Sequence, residues 1–120
     1  MKKNNIFKSF KCAFAGIKNA FLSERNMKIH FFMMILVIIC GFLLKINYLE
    51  WIACIVCFAL VIGFEMLNTA IENAVDLAMP EIHEKAKLAK DVSAGAVLFV
   101  SICSAVIGIL IFLPKIIALL

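Results

Sequence analysis

The sequence predicts an all-α integral membrane protein in which an N-terminal amphipathic surface helix precedes three transmembrane helices. Of its 120 residues 65% are hydrophobic, with a mean hydropathy of +1.08, against about 45–50% apolar in an ordinary soluble domain. Three apolar runs approach the length of about 20 residues that crosses a hydrocarbon layer of roughly 30 Å. The first 28 residues set Lys2, Lys3, Lys8, Lys11, Lys18, Arg25 and Lys28 among Phe7, Phe10, Phe14, Ile17, Phe21 and Leu22. Little chain remains outside these segments. Residues 1–120 are thus one membrane domain, whose site must be built from helix ends, short loops and neighbouring subunits.

Each element follows from its local pattern. In residues 1–28 the apolar positions recur at the helical spacing of three and four, which predicts a basic helix lying on the membrane surface. No uninterrupted apolar core or small-residue cleavage site follows the first lysines, so a cleaved signal peptide is not expected. Residues 29–46 form the first span, with His30 at its entrance. Lys45, Asn47 and Glu50 mark a tight turn, flanked by Tyr48 and Trp51 at the headgroup level. The second span, 51–78, is apolar through Phe64 and polar thereafter, until Pro80 stops it. The third, 92–113, follows Lys90 and Asp91 and is closed by Pro114. It carries Ser93, Gly95, Ser101, Ser104 and Gly108, small residues suited to close helix packing.

The charge pattern gives an orientation and excludes one class of partner. Ten basic residues lie before the first span or in the second loop, against Lys45 and Lys115 on the other side. Positive flanks favour the cytoplasm, so the N-terminus and the loop between spans two and three are expected inside and the C-terminus outside. The net charge of +4 does not indicate nucleic acid, because the basic residues border apolar runs instead of forming one patch. Of five cysteines, four sit in apolar stretches and read as small apolar filler. Cys54 and Cys57 have the spacing of a redox pair without the strand–helix context that such a pair needs.

Chemistry concentrates in the second half of span two. Glu65, Asn68, Thr69, Glu72 and Asp76 fall at helical offsets that place them on one stripe. With a rise of about 1.5 Å per residue from Trp51, Glu65 lies roughly 21 Å down the helix and Glu72 roughly 31 Å. Ionisable side chains in a span are costly unless they face a protein-lined site. Glu65, the deeper, is a candidate general base, and Glu72, nearer water, a candidate metal ligand. Glu24, near the first membrane crossing, has Lys28 four residues on and reads alone as an ordinary ion pair. Together Glu24 and Glu72 make a pair of hard oxygen donors for Mg²⁺ and phosphate. Asp91 is a candidate N-cap of the third span, where free amides and Lys90 would receive a phosphate. His83 reads as a solvated loop histidine. There is no Walker sequence or kinase-type glycine-rich loop.

The run EMLNTAIENAVD at residues 65–76, AKDVSAGAV at 89–97 and SERNMKIH at 23–30 resemble the prokaryotic diacylglycerol kinase family of small trimeric membrane kinases. The resemblance extends over nearly the whole chain. The ERN run followed by His30, and IFLPK at 111–115, look most like the undecaprenol kinase branch. The resemblance implies a homotrimer in the bacterial plasma membrane, with Mg²⁺ as cofactor and ATP as co-substrate. It implies a lipid kinase that phosphorylates the hydroxyl of undecaprenol or, alternatively, of diacylglycerol. Glu65 matches the catalytic base, Glu24 and Glu72 the metal ligands, and Asn68 a polar residue beside the base, with Thr69 and Asp76 in support. Lys90 and Asp91 match residues that contact ATP phosphates, and His83 and Glu84 a loop that contacts the nucleotide. Cys12 takes a nucleotide-side position that is aromatic in some members, and Asn5 one that is basic in some. Read from the residues without the resemblance, the stripe also admits a proton or ion relay, or a structural subunit using Asn68 and Thr69 for packing.

Overall fold

Four helices account for nearly all of residues 5–120, which the computed structural model describes: α1 (Ile6–Ser23), α2 (Arg25–Leu43), α3 (Tyr48–Ala78) and α4 (Glu84–Leu119). Residues 1–4, including Lys2 and Lys3 at the start of the expected surface helix, lie outside the described residues. The helices α2, α3 and α4 are each long and apolar enough to cross a membrane. The chain exposes 9048 Å², well above the ~6,500 Å² of a soluble monomer of its mass. Much of that surface is Phe, Ile, Leu and Val side chains. Burial within one chain is therefore slight.

A sharp corner separates α1 from α2. Asn5 caps α1 by accepting from the Lys8 amide at 2.8 Å, and the helix runs to Ser23. Glu24 then adopts an extended backbone, and the next helix starts at Arg25. Arg25 to Lys28, expected in the surface helix, thus belong to α2. Met27 is fully buried in the corner. The rings of Phe21 and Phe31 meet edge to face at 5.0 Å across it, and Lys28 Nζ donates to the Leu22 carbonyl at 2.9 Å. The lysine satisfies a carbonyl that the end of α1 leaves free. It is this contact, and not an ion pair with Glu24, that Lys28 makes.

At the opposite end, α2 passes into α3 through a turn with two local devices. The Ile46 amide donates to the Gly41 carbonyl at 3.1 Å and the Lys45 amide to Phe42 at 3.4 Å, the pairing of a Schellman motif. Lys45 takes the left-handed position at φ 54°. Asn47 and Glu50 then form a reciprocal capping box, both bonds at 2.9 Å. The box starts α3 at Tyr48, three residues ahead of Trp51. Ile46, Cys54 and Ile111 form a small core here, with Trp51 and Phe58 packed against it. Lys115 Nζ reaches Glu50 Oε1 at 3.1 Å and ties α4 to the same end.

The third long helix differs from expectation at both ends. It starts at Glu84, capped by His83, whose Nδ1 accepts from the Lys85 amide at 3.1 Å. The segment EKAKLAK consists of strong helix formers, so charge before the apolar run does not make it a loop. Asp91 is consequently inside α4 and is not its N-cap; the amides near Lys90 and Asp91 are part of the helix and not free for phosphate. Pro114 does not close the helix, which continues to Leu119. A proline removes one backbone hydrogen bond and crowds the preceding turn, and the Lys115–Glu50 pair holds the turn that follows.

Candidate active site

The deepest carboxylate is the centre of the site. Glu65 lies on the α3 stripe and is 1% exposed. His30, from α2, brings Nε2 to 3.5 Å from Glu65 Oε1, while Glu65 Oε2 is buried with no hydrogen-bond partner. One turn further, Asn68 is buried with its Oδ1 also unpartnered. Thr69 Oγ1 donates to the Glu65 carbonyl at 3.1 Å, so its hydroxyl is occupied by its own helix. Buried polar atoms without partners are costly in a finished core. Two such oxygens, on Glu65 and Asn68, therefore mark a place where another molecule's donors fit.

Two further carboxylates act on the same point. Glu24, at the α1–α2 corner, and Glu72, two turns beyond Glu65, are both half-buried, and their negative charges reach Glu65. Among the described residues no three metal-ligating side chains converge on one point. Glu24 and Glu72 are two hard donors, which suits a cation that takes its other oxygens from phosphate and water.

The polar ends of α3 and α4 are joined by ion pairs. Lys90 Nζ donates to Asp76 Oδ1 at 2.7 Å, linking the two helices. Lys87 donates to Asp91 Oδ2 at 2.7 Å along α4. Both lysines precede the apolar run that begins at Val92. The hydrogen bond to Asp76 holds Lys90 above the usual lysine range, and that to Asp91 does the same for Lys87. Glu84 is exposed in the first turn of α4. Cys12 is exposed on α1 and, among the described residues, makes no hydrogen bond to this group.

An apolar cavity of about 730 Å³ extends from His30 to Ile116, lined along its length by Met34, Val37, Phe58 and Phe112. Its cause is the packing order. Both α2 and α4 pack on α3, and among the described residues they have no close backbone approach to each other.

The family model described as prokaryotic diacylglycerol kinase matches residues 11–112. The chain belongs to the prokaryotic diacylglycerol kinase family. It is 44% identical over 112 residues to the undecaprenol kinase of Bacillus subtilis (strain 168), covering 93% of this chain and 91% of that protein. Identity is 38% over 117 residues with the diacylglycerol kinase of Synechocystis sp., covering 97% of this chain and 67% of that one. With the diacylglycerol kinase of Haemophilus influenzae it is 33% over 105 residues, covering 88% and 86%. The chain is a membrane lipid kinase.

Within this kinase, the structure sets Glu24 and Glu72 each within electrostatic reach of Glu65, with Asn68 buried one turn along α3. It places Asp76, Lys87, Lys90 and Asp91 in ion pairs at the polar ends of α3 and α4. His30 is the residue that reading the sequence placed only at a helix entrance. Its signal was present, since a titratable side chain at the start of an apolar run is costly without a partner. Identifying Glu65 as that partner required the register between α2 and α3.

Proposed function

We propose that this kinase transfers the γ-phosphate of ATP to the hydroxyl of undecaprenol, with Glu65 as the general base. The observation that carries the assignment is the state of Glu65, a buried carboxylate with one oxygen that has no hydrogen-bond donor. A lipid hydroxyl is such a donor. In the proposed step Glu65 Oε2 takes the hydroxyl proton. The lipid oxygen attacks the γ-phosphorus as the bond to the bridging oxygen of ADP breaks, and ADP leaves. The preference for undecaprenol is supported by the 44% identity to the Bacillus subtilis undecaprenol kinase, above that to the two diacylglycerol kinases. The apolar cavity beginning at His30 offers room for a prenyl chain whose hydroxyl stays at Glu65.

Glu24 and Glu72 are the residues proposed to hold Mg²⁺. When bound, the cation would neutralise charge on the transferring phosphates, the main requirement of phosphoryl transfer. Lys90 and Asp91, with His83 and Glu84 at the start of α4 and Cys12 on α1, are the proposed nucleotide side. Asn68 has an unpartnered oxygen positioned to accept from a bound hydroxyl or water, and Asp76 orients Lys90. The helix α1 is proposed to lie on the cytoplasmic surface, placing the α3–α4 connection inside and the C-terminus outside, in keeping with the basic residues at those flanks. A homotrimer is proposed as well, supported by the extent of apolar surface that one chain leaves exposed.

The test is ATP-dependent phosphorylation in detergent–lipid micelles, with undecaprenol and diacylglycerol offered in parallel to wild type and Glu65→Gln. A preference for undecaprenol is expected, with kcat lost by about 10²–10⁴ in the folded variant, the usual contribution of a general base. Preference for diacylglycerol would overturn the substrate. Wild-type turnover in Glu65→Gln would overturn the base.

A further inference from the structure

The imidazole of His30 has no role in the transfer described above, yet it is the side chain that meets the Glu65 carboxylate. The two oxygens of Glu65 have different surroundings. Oε1 faces His30 Nε2 at 3.5 Å, whereas Oε2 is enclosed and unpartnered. Glutamate is flexible, and holding it in one rotamer is costly in entropy. A base must also stand within about 2.6–3.2 Å of the hydroxyl it deprotonates. Something must fix the carboxylate, and nothing on α3 does so. Among the described residues, the side-chain hydrogen bond on the adjacent turn, from Thr69, goes to the Glu65 backbone carbonyl and leaves the carboxylate untouched.

We propose that His30 is a positioning residue for Glu65: its Nε2–H holds Oε1 and so presents Oε2 to the hydroxyl of the lipid alcohol. This role rests on Glu65 being the base. At 3.5 Å the contact is longer than a hydrogen bond of about 2.7–3.2 Å, and the role requires it to close to that range in the reacting complex. His30 keeps its proton throughout; the hydroxyl proton moves to Oε2 alone. Because α2 carries His30 and α3 carries Glu65, the alignment of the base is set by packing between two spans and not by the stripe on α3 itself.

The experiment measures kcat and KM for lipid and ATP on the full chain in mixed micelles, comparing His30→Gln, His30→Asn, His30→Phe and Glu65→Gln with wild type. Loss of alignment by about 1 Å can lower turnover about 100-fold, and that is the fall in kcat expected for His30→Phe, with KM for ATP unchanged. Gln places an amide N–H near the position of Nε2 and is expected to recover most of the rate; Asn, whose amide falls short, is not. Adding His30→Phe to Glu65→Gln is expected to cause no further loss. If Phe disturbs folding, the Gln and Asn pair makes the same comparison. Equal losses in folded Gln and Asn variants would overturn the proposal, as would wild-type kcat in folded His30→Phe. Wild-type turnover in Glu65→Gln would remove the base and the positioning role with it, whereas an inactive Glu65→Gln beside a fully active His30→Phe would overturn the positioning role alone.

Discussion

Lys90 on α4 and Asp76 on α3 meet at 2.7 Å, fourteen residues apart in sequence. The pair closes the polar ends of the two helices just beyond the proposed metal ligand Glu72. A phosphate that uses Lys90 must share it with Asp76 or displace it. Lys90→Met is therefore expected to raise KM for ATP by about tenfold or more, the loss of one charge-assisted hydrogen bond. Asp76→Asn is expected to leave thermal stability almost unchanged, because exposed ion pairs contribute little. Steady-state kinetics and thermal melts of both variants check this, and an unchanged KM in Lys90→Met would remove Lys90 from the nucleotide side.

The proposed Mg²⁺ ligands can be separated from the base by their dependence on the cation. Glu24→Gln and Glu72→Gln each keep the side-chain shape and lose the charge that a hard cation needs. Each is expected to raise the Mg²⁺ concentration for half-maximal activity by about tenfold, and excess Mg²⁺ should restore part of the rate. Glu65→Gln should not recover at any Mg²⁺ concentration. A titration of activity against Mg²⁺ for the three variants gives the answer directly, and recovery of Glu65→Gln would place that residue on the metal instead.

The spans were legible in the sequence because apolar runs near bilayer length have few other uses, and the stripe from Glu65 to Asp76 because offsets near the helical period put it on one face. Helix ends were less legible. The charged stretch before Val92 looks like a loop by polarity and is a helix by propensity, and Pro114 stops a helix only where nothing holds the following turn. That His30 needs a partner is legible from its place at the start of an apolar run, but that the partner is Glu65 is not. The pairing depends on how α2 and α3 are offset across the turn at Lys45, a quantity that no local pattern encodes.

That turn offers a stability prediction. Lys45 occupies the left-handed position that ends α2, at φ 54°. A side chain there costs roughly 1–2 kcal/mol that glycine avoids. Lys45→Gly is expected to stabilise the chain by about 1 kcal/mol, since the Schellman hydrogen bonds use only backbone atoms. Denaturant titration in micelles should show a later midpoint with unchanged kinase activity. An earlier midpoint would mean that the lysine side chain contributes more than its backbone conformation costs.

Gly41 supports the same turn by being small. A Cβ at this position would lie 2.7 Å from the Trp51 ring and 3.2 Å from Ile46 Cδ1, inside van der Waals contact. The Trp51 ring is also packed against Phe42 at 4.9 Å, so it cannot swing aside without opening the core around Ile46 and Cys54. Gly41→Ala is expected to destabilise by about 1–3 kcal/mol, the usual cost of overpacking. Replacing Trp51 by Leu in the same chain removes the obstructing ring, and the double variant should lose less than the two single losses added together. Denaturation midpoints of the four proteins in the cycle measure the coupling. Strict additivity would show that Gly41 serves the backbone of the turn and not the seating of Trp51.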